Sequence, residues 1–120
     1  MDINLILAPE VDITRQAINE LAEDIKRVVV DWIKLNEAEV MVTIFRAEYV
    51  SHRCESIQIR IDHDSRRCVI VNKKQLAEAI IKTVLVVLED HQLKLSVCAW
   101  LKSIGDSAFV SSANISWLTY

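Results

Sequence analysis

The chain has 120 residues, 52% of them hydrophobic, with a single glycine and a single proline. That composition suits one packed core near the modal domain size and excludes a second domain, a Gly/Ser linker or a disordered arm. Fourteen basic residues nearly balance 17 acidic ones, for a net charge of −3, so no charge excess points to nucleic acid or to an anionic membrane.

The longest apolar run, Thr83 to Leu88, stops at Glu89 and Asp90, far short of the roughly 18 apolar residues of a membrane helix. Met1-Asp2-Ile3-Asn4 offers no basic segment of the kind that opens a secretory signal. Cys54, Cys68 and Cys98 match neither CxxC metal spacing nor an even disulfide framework. They are expected to be free, at least partly buried thiols of a cytoplasmic protein, without metal.

Ile3 to Ala8 is apolar and ends at Pro9, which lacks an N–H and biases Ala8 away from helix, so a short strand or an arm is expected. From Thr14 the period changes. Ile18, Leu21, Ala22, Ile25, Val28, Val29, Trp32 and Ile33 recur at helical spacing opposite Glu20, Glu23, Asp24, Arg27, Asp31 and Lys34, which predicts an amphipathic helix. Thr14 is placed to cap it, with Ile13 and Ile18 as a hydrophobic staple.

Val40 to Phe45 is apolar in both alternating sets and reads as a central strand covered on both faces. In contrast, Ile57, Ile59 and Ile61 alternate with Gln58, Arg60 and Asp62, as in a strand with one buried and one wet face. His63 to Arg66 then makes a polar turn, and Arg67 to Val71 can return as a hairpin partner. Asn72, with Gln75 three residues on, is expected to cap a second helix whose inner face runs through Leu76, Ala77, Ile80, Ile81, Val84, Leu85 and Leu88. Leu93 to Lys102 alternates, Gly105-Asp106 turns, and Phe109 to Tyr120 closes a last hairpin. The expected fold is therefore a single α+β domain over residues 1–120, a mainly antiparallel sheet with two long amphipathic helices packed on one face. No repeat is visible.

The only dense polar constellation, Asp62-His63-Asp64-Ser65-Arg66-Arg67, lies in one turn, where neighbouring side chains diverge; a triad needs its members from separate elements. His52 and Cys54 lack a second ligand pair at zinc spacing. No catalytic, cofactor or metal site is expected on these grounds. The stretch from Arg53 to Lys74 is basic and that from Glu10 to Glu39 is acidic; without interleaved aromatic residues the basic patch does not suit nucleic acid, whereas complementary faces suit an oligomer. Mean hydropathy is +0.22, high for a domain whose surface should be largely polar. A homo-oligomer follows, with Trp100, Phe109, Ile115, Trp117, Leu118 and Tyr120 of the closing hairpin at its interface.

Two family resemblances bear on function. Val40 to Tyr49, then Ser56 to Ile61, a helix, and the terminal Ser111-Ser-Ala-Asn-Ile-Ser-Trp-Leu-Thr-Tyr120 resemble the tail terminator proteins of tailed bacteriophages. That likeness rests on pattern and element order. It implies a non-enzymatic ring subunit of a phage-like tail or neck, partnered by other structural proteins, made in the cytoplasm and carried in a virion. Ala113-Asn114-Ile115-Ser116-Trp117 also resembles a stretch of the tautomerase superfamily, whose subunits trimerise. Their chemistry depends on an amino-terminal proline acting as base. Here residue 2 is Asp2 and the one proline is Pro9, so that resemblance implies the fold without the usual base.

Overall fold

A computed structural model describes residues 1–33, 37–47, 56–62, 72–103 and 106–112. Strand β1 (Asp2–Leu7) leads into helix α1 (Arg15–Ile33), a short 3-10 turn (Glu37–Glu39) and β2 (Met41–Arg46); β3 (Ile57–Asp62), α2 (Lys73–Asp90), β4 (Val97–Ser103) and β5 (Asp106–Ser111) follow. The five strands form one sheet in the order β2-β1-β3-β4-β5. β1 runs parallel to β2 and β3 parallel to β4, while the β1–β3 and β4–β5 contacts are antiparallel. The α+β class and the two helices on one face are as expected, and the sheet is mixed.

The parallel pairs mark two βαβ units. Leu5 faces Ile59 at the middle of the antiparallel β1–β3 pair, and a two-fold axis through that point carries β1 onto β3 and β2 onto β4. Ile3 beside Val42 then corresponds to Ile57 beside Val97. The sequence shows no sign of this duplication, because the two units share little beyond their burial pattern.

On one face of the sheet the central strands bury an apolar layer. Ile3, Leu5, Leu7, Ile57, Ile59, Ile61, Val97, Ala99 and Leu101 are buried there against Leu21, Ile25 and Val29 of α1 and Leu76, Ile80, Ile81, Val84 and Leu88 of α2. In β3 the period of two does what its alternation predicts, with isoleucines inward and Arg60 and Asp62 outward.

Several expectations are corrected. Of the two expectations for Ile3 to Ala8 the strand holds and the arm does not: β1 pairs on both sides and its inward residues are buried. β2, expected to be central, pairs only with β1 and forms an edge of the described sheet, leaving Met41 62% and Phe45 49% exposed. Apolar residues on both faces of a strand report a need for cover without saying where the strand lies. Trp32, expected on the inner stripe of α1, is 42% exposed, because the buried stripe is the narrower Ala17, Leu21, Ile25, Val29 row.

The helix ends divide similarly. Thr14 Oγ1 accepts the Ala17 N–H at 3.2 Å, as its capping role requires, and Ile13 and Ile18 both pack on the core. Asn72 does not cap α2 through its side chain; its backbone is left-handed, φ 62°, a region Asn tolerates better than most residues. The end of α2 is closed by backbone: Gln92 N–H donates to Glu89 O at 2.9 Å and Leu93 N–H to Leu88 O at 2.8 Å, the paired bonds of a Schellman turn with Gln92 in the left-handed position, φ 59°. The expected turn and return strand over His63 to Val71 lie outside the described residues.

Candidate functional site

The helices cover one face of the sheet. The other carries the residues that alternate with the core, and the strand register sets them in rows. One row reads Met41, Asp2, Asp62, Lys102; the next Thr43, Asn4, Arg60, Trp100; the third Phe45, Ile6, Gln58, Cys98. This open face mixes exposed apolar groups with charge: Met41 and Phe45 from β2, Trp100 at 41% exposure from β4, and the exposed Asp2, Arg60, Asp62 and Lys102.

At its centre the Arg60 guanidinium lies over the Trp100 ring, 5.6 Å from the ring centroid. Register makes the two cross-strand neighbours. Such stacking holds the guanidinium plane in place while its edge stays available for a carboxylate. Among the described residues of the face two cations stand with two carboxylates, Arg60 and Lys102 with Asp2 and Asp62.

The two ends of the central strand pair differ in chemistry. Where β1 begins, Asp2 lies opposite Asp62, with Lys102 beside Asp62; the Met1 ammonium donates to Glu39 O at 2.9 Å. The two-fold counterpart of that end, where β3 begins, is tied by neutral groups. Ala8 N–H donates to Ser56 O at 2.9 Å and Ser56 N–H to Ser96 Oγ at 3.0 Å. Among the described residues of the open face, Asp2, Asp62 and Lys102 thus gather at the start of β1. At the far end of β2, Arg46 turns to the helix side, where its guanidinium donates to Ala8 O at 3.2 Å and Val11 O at 2.8 Å, pinning the loop that leads into α1.

Of the residues expected at an interface, Trp100 sits on the open face, and Phe109 is its register partner on β5. Ile115, Trp117, Leu118 and Tyr120 lie outside the described residues. Cys98 is buried and in no disulfide; Cys54 and Cys68 lie outside the described residues. Among the described residues no three His, Cys, Asp or Glu side chains are grouped to hold a metal ion, and no helix is long and apolar enough to cross a membrane. Sequence reasoning missed Arg60, Met41 and Phe45. The alternation of β3 puts Arg60 on the wet face, but only the long-range register places Trp100 next to it.

No family model matches the chain, and no curated protein matches it in sequence. Solved structures do match in fold. One is Pt0534 inactivated by 2-oxo-3-pentynoate, with a TM-score of 0.67 at 14% identity over 86% of this chain and 85% of that one. A fused 4-OT symmetric trimer gives 0.62 at 21% identity over 86% and 85%. A member of the cis-3-chloroacrylic acid dehalogenase family, N1, gives 0.66 at 18% identity over 86% and 74%.

These are tautomerase-superfamily structures, and at such identities the likeness establishes the fold. It overturns the tail-terminator resemblance and, with it, the structural role in a phage tail, the structural protein partners and the place in a virion. Element order misled because a helix, paired strands and a second helix follow one another in unrelated folds, and the order says nothing of which strands pair in parallel. The expectation of a non-enzymatic chain, drawn from the absence of a catalytic motif as well as from the phage likeness, is corrected too, because the structural neighbours are enzymes.

Proposed function

We propose that the chain is an enzyme built on the tautomerase fold, working as a homo-oligomer on small carboxylic acids that carry a keto or unsaturated carbon beside the carboxylate. The observation that carries this reading is the duplicated βαβ sheet and its match to enzymes of that superfamily across most of the chain. The substrate class follows from the neighbours' names: 2-oxo-3-pentynoate is a 2-oxo acid and 3-chloroacrylic acid an unsaturated one. The oligomer is supported by the trimer seen for fused 4-OT and by the apolar groups left exposed on the open face. The chemistry is placed at the sheet end where β1 begins, the end at which this chain gathers its ionisable groups.

Two measurements test it. In deuterium oxide, a small 2-oxo acid with the protein should exchange the protons next to its keto carbon faster than without it, read by proton NMR. Incubation with 2-oxo-3-pentynoate should add one intact reagent: a protein nucleophile donates its electron pair to the alkyne, forming one bond, and the adjacent carbon takes up a proton. Peptide mapping should place the adduct within residues 1–7 or 97–103. Neither exchange nor adduct on folded protein would remove the enzymatic reading.

A further inference from the structure

We infer that Arg60, Asn4 and Thr43, aligned across three adjacent strands on the open face, form a binding site for a small oxyanion, a carboxylate or an inorganic phosphate. The inference goes beyond the proposed function and needs no chemistry at the start of β1.

The strand register builds the row. Asn4 on β1 is the cross-strand partner of Arg60 on β3 and the neighbour of Thr43 on β2, and side chains so placed lie about 5 Å apart at Cβ. Their donors therefore stand side by side: a guanidinium fork, an amide and a hydroxyl. The row holds no carboxylate. On β3 the next carboxylate of this face, Asp62, is two residues along, roughly 7 Å at Cα, with Lys102 at its side. Trp100 closes the row on β4, its ring centroid 5.6 Å from the guanidinium carbon of Arg60. Stacking leaves the guanidinium edge open to a ligand and removes side-chain freedom that binding would otherwise cost.

Two observations point to a ligand. Asn4 and Thr43 are half-buried, and among the described residues neither side chain has a hydrogen-bond partner and no carboxylate pairs with Arg60. Polar groups left so are costly until something answers them. The internal two-fold axis supplies the second observation. The positions equivalent to Thr43, Asn4 and Arg60 hold Cys98, Gln58 and Ile6, a set without charge, so packing of the sheet does not call for this row. A cation is repelled by Arg60, and a neutral ligand leaves its charge unanswered. An oxyanion accepts from all three groups and can pair the guanidinium fork bidentately. Met41 and Phe45 beside Thr43, and Ile6 beside Asn4, give it apolar flanks, which strengthen such bonds.

The test is a titration of isotope-labelled protein followed by NMR, with acetate and inorganic phosphate as probes. Chloride holds the ionic strength constant, so mere screening gives no shift. The Asn4 side-chain amide and the Trp100 indole N–H should shift saturably. Arg60→Gln should weaken binding about tenfold or more, the loss expected for a charge-assisted bond. Asn4→Ala should weaken it less, and Arg60→Lys should fall between the wild type and Arg60→Gln. Arg60 is exposed, so its variants should keep the wild-type circular dichroism. Saturation by acetate alone assigns the site to carboxylates, by phosphate alone to phosphates, and by both to oxyanions of either kind. No saturable shift with either probe, or binding unchanged in Arg60→Gln, overturns the inference. Since no turnover is read, the result is independent of the enzymatic reading.

Discussion

Phe45 on β2 and Trp100 on β4 occupy equivalent positions of the two βαβ units, both on the face of the sheet that the helices leave open. Their neighbours across the strands break the equivalence, since Phe45 lies beside Ile6 and Trp100 beside Arg60. The inner face behaves differently: Ile3, Leu5 and Leu7 of β1 are matched by Ile57, Ile59 and Ile61 of β3, all buried. The duplication is therefore kept where packing demands it and lost where chemistry or recognition can differ.

Arg46 should matter more to stability than its exposure implies. Its guanidinium bonds to the carbonyls of Ala8 and Val11 and holds the β1–α1 loop against the end of β2. Hydrogen bonds to a charged group contribute about 1.5 to 3 kcal/mol when well formed, and partial exposure places Arg46→Ala at the low end. Urea denaturation should show a lowered midpoint with an unchanged slope. Arg46→Lys should recover only part of the loss, because a single ammonium does not reproduce the guanidinium fork.

Gln92 offers the opposite sign. It holds the left-handed position of the turn that ends α2, where a side chain costs about 1 to 2 kcal/mol. Glycine removes that strain but adds roughly 0.5 to 1 kcal/mol of backbone freedom to the unfolded chain. Gln92→Gly should thus stabilise the protein by up to about 1 kcal/mol, seen as a higher denaturation midpoint with no change in the helical spectrum.

The link between the helices is weaker. His91 Nε2 lies 2.9 Å from Glu20 Oε2, joining the end of α2 to the first half of α1, and the carboxylate side chain is 43% exposed. Exposed pairs of this kind contribute about 0.2 to 1 kcal/mol. With His91 protonated, Glu20→Gln should lower stability by no more than that in low salt, with the difference shrinking at 1 M salt as screening removes the ionic part. A larger loss would mean that the pair organises the helix contact.

How much of this was legible without coordinates depended on whether a signal was local. β3 could be read in full because one face is dry and the other wet, and α1 because Thr14 caps a periodic stripe. β1 and β2 could not be placed: Ile3 to Leu7 and Val40 to Phe45 are apolar wherever they sit, and nothing within either segment says which pairs on both sides. Parallel pairing across a helix is likewise a property of two distant segments. The same holds for the open face. Trp100 stood out by itself, but its contact with Arg60 is made across strands 40 residues apart in number, as is the Ser56 contact with Ser96.

The contrast between β1 and β2 gives a sharp test of the strand order. Leu5 and Ile44 are register partners on the same face of two strands of equal length. Only their depth differs. Leu5 is completely buried between β2 and β3, whereas Ile44, on the edge strand, is 39% exposed. Removing a fully buried leucine deletes its transfer free energy and leaves a cavity that tight neighbours cannot fill, about 2 to 5 kcal/mol in all. At the edge, water or a shifted side chain can occupy the space, and the loss scales with the apolar area still buried. Leu5→Ala should therefore lower the denaturation free energy by about 2 to 5 kcal/mol, and Ile44→Ala by clearly less in the same assay. Equal losses would place β2 inside the sheet; a negligible loss at Leu5 would return β1 to the status of an arm.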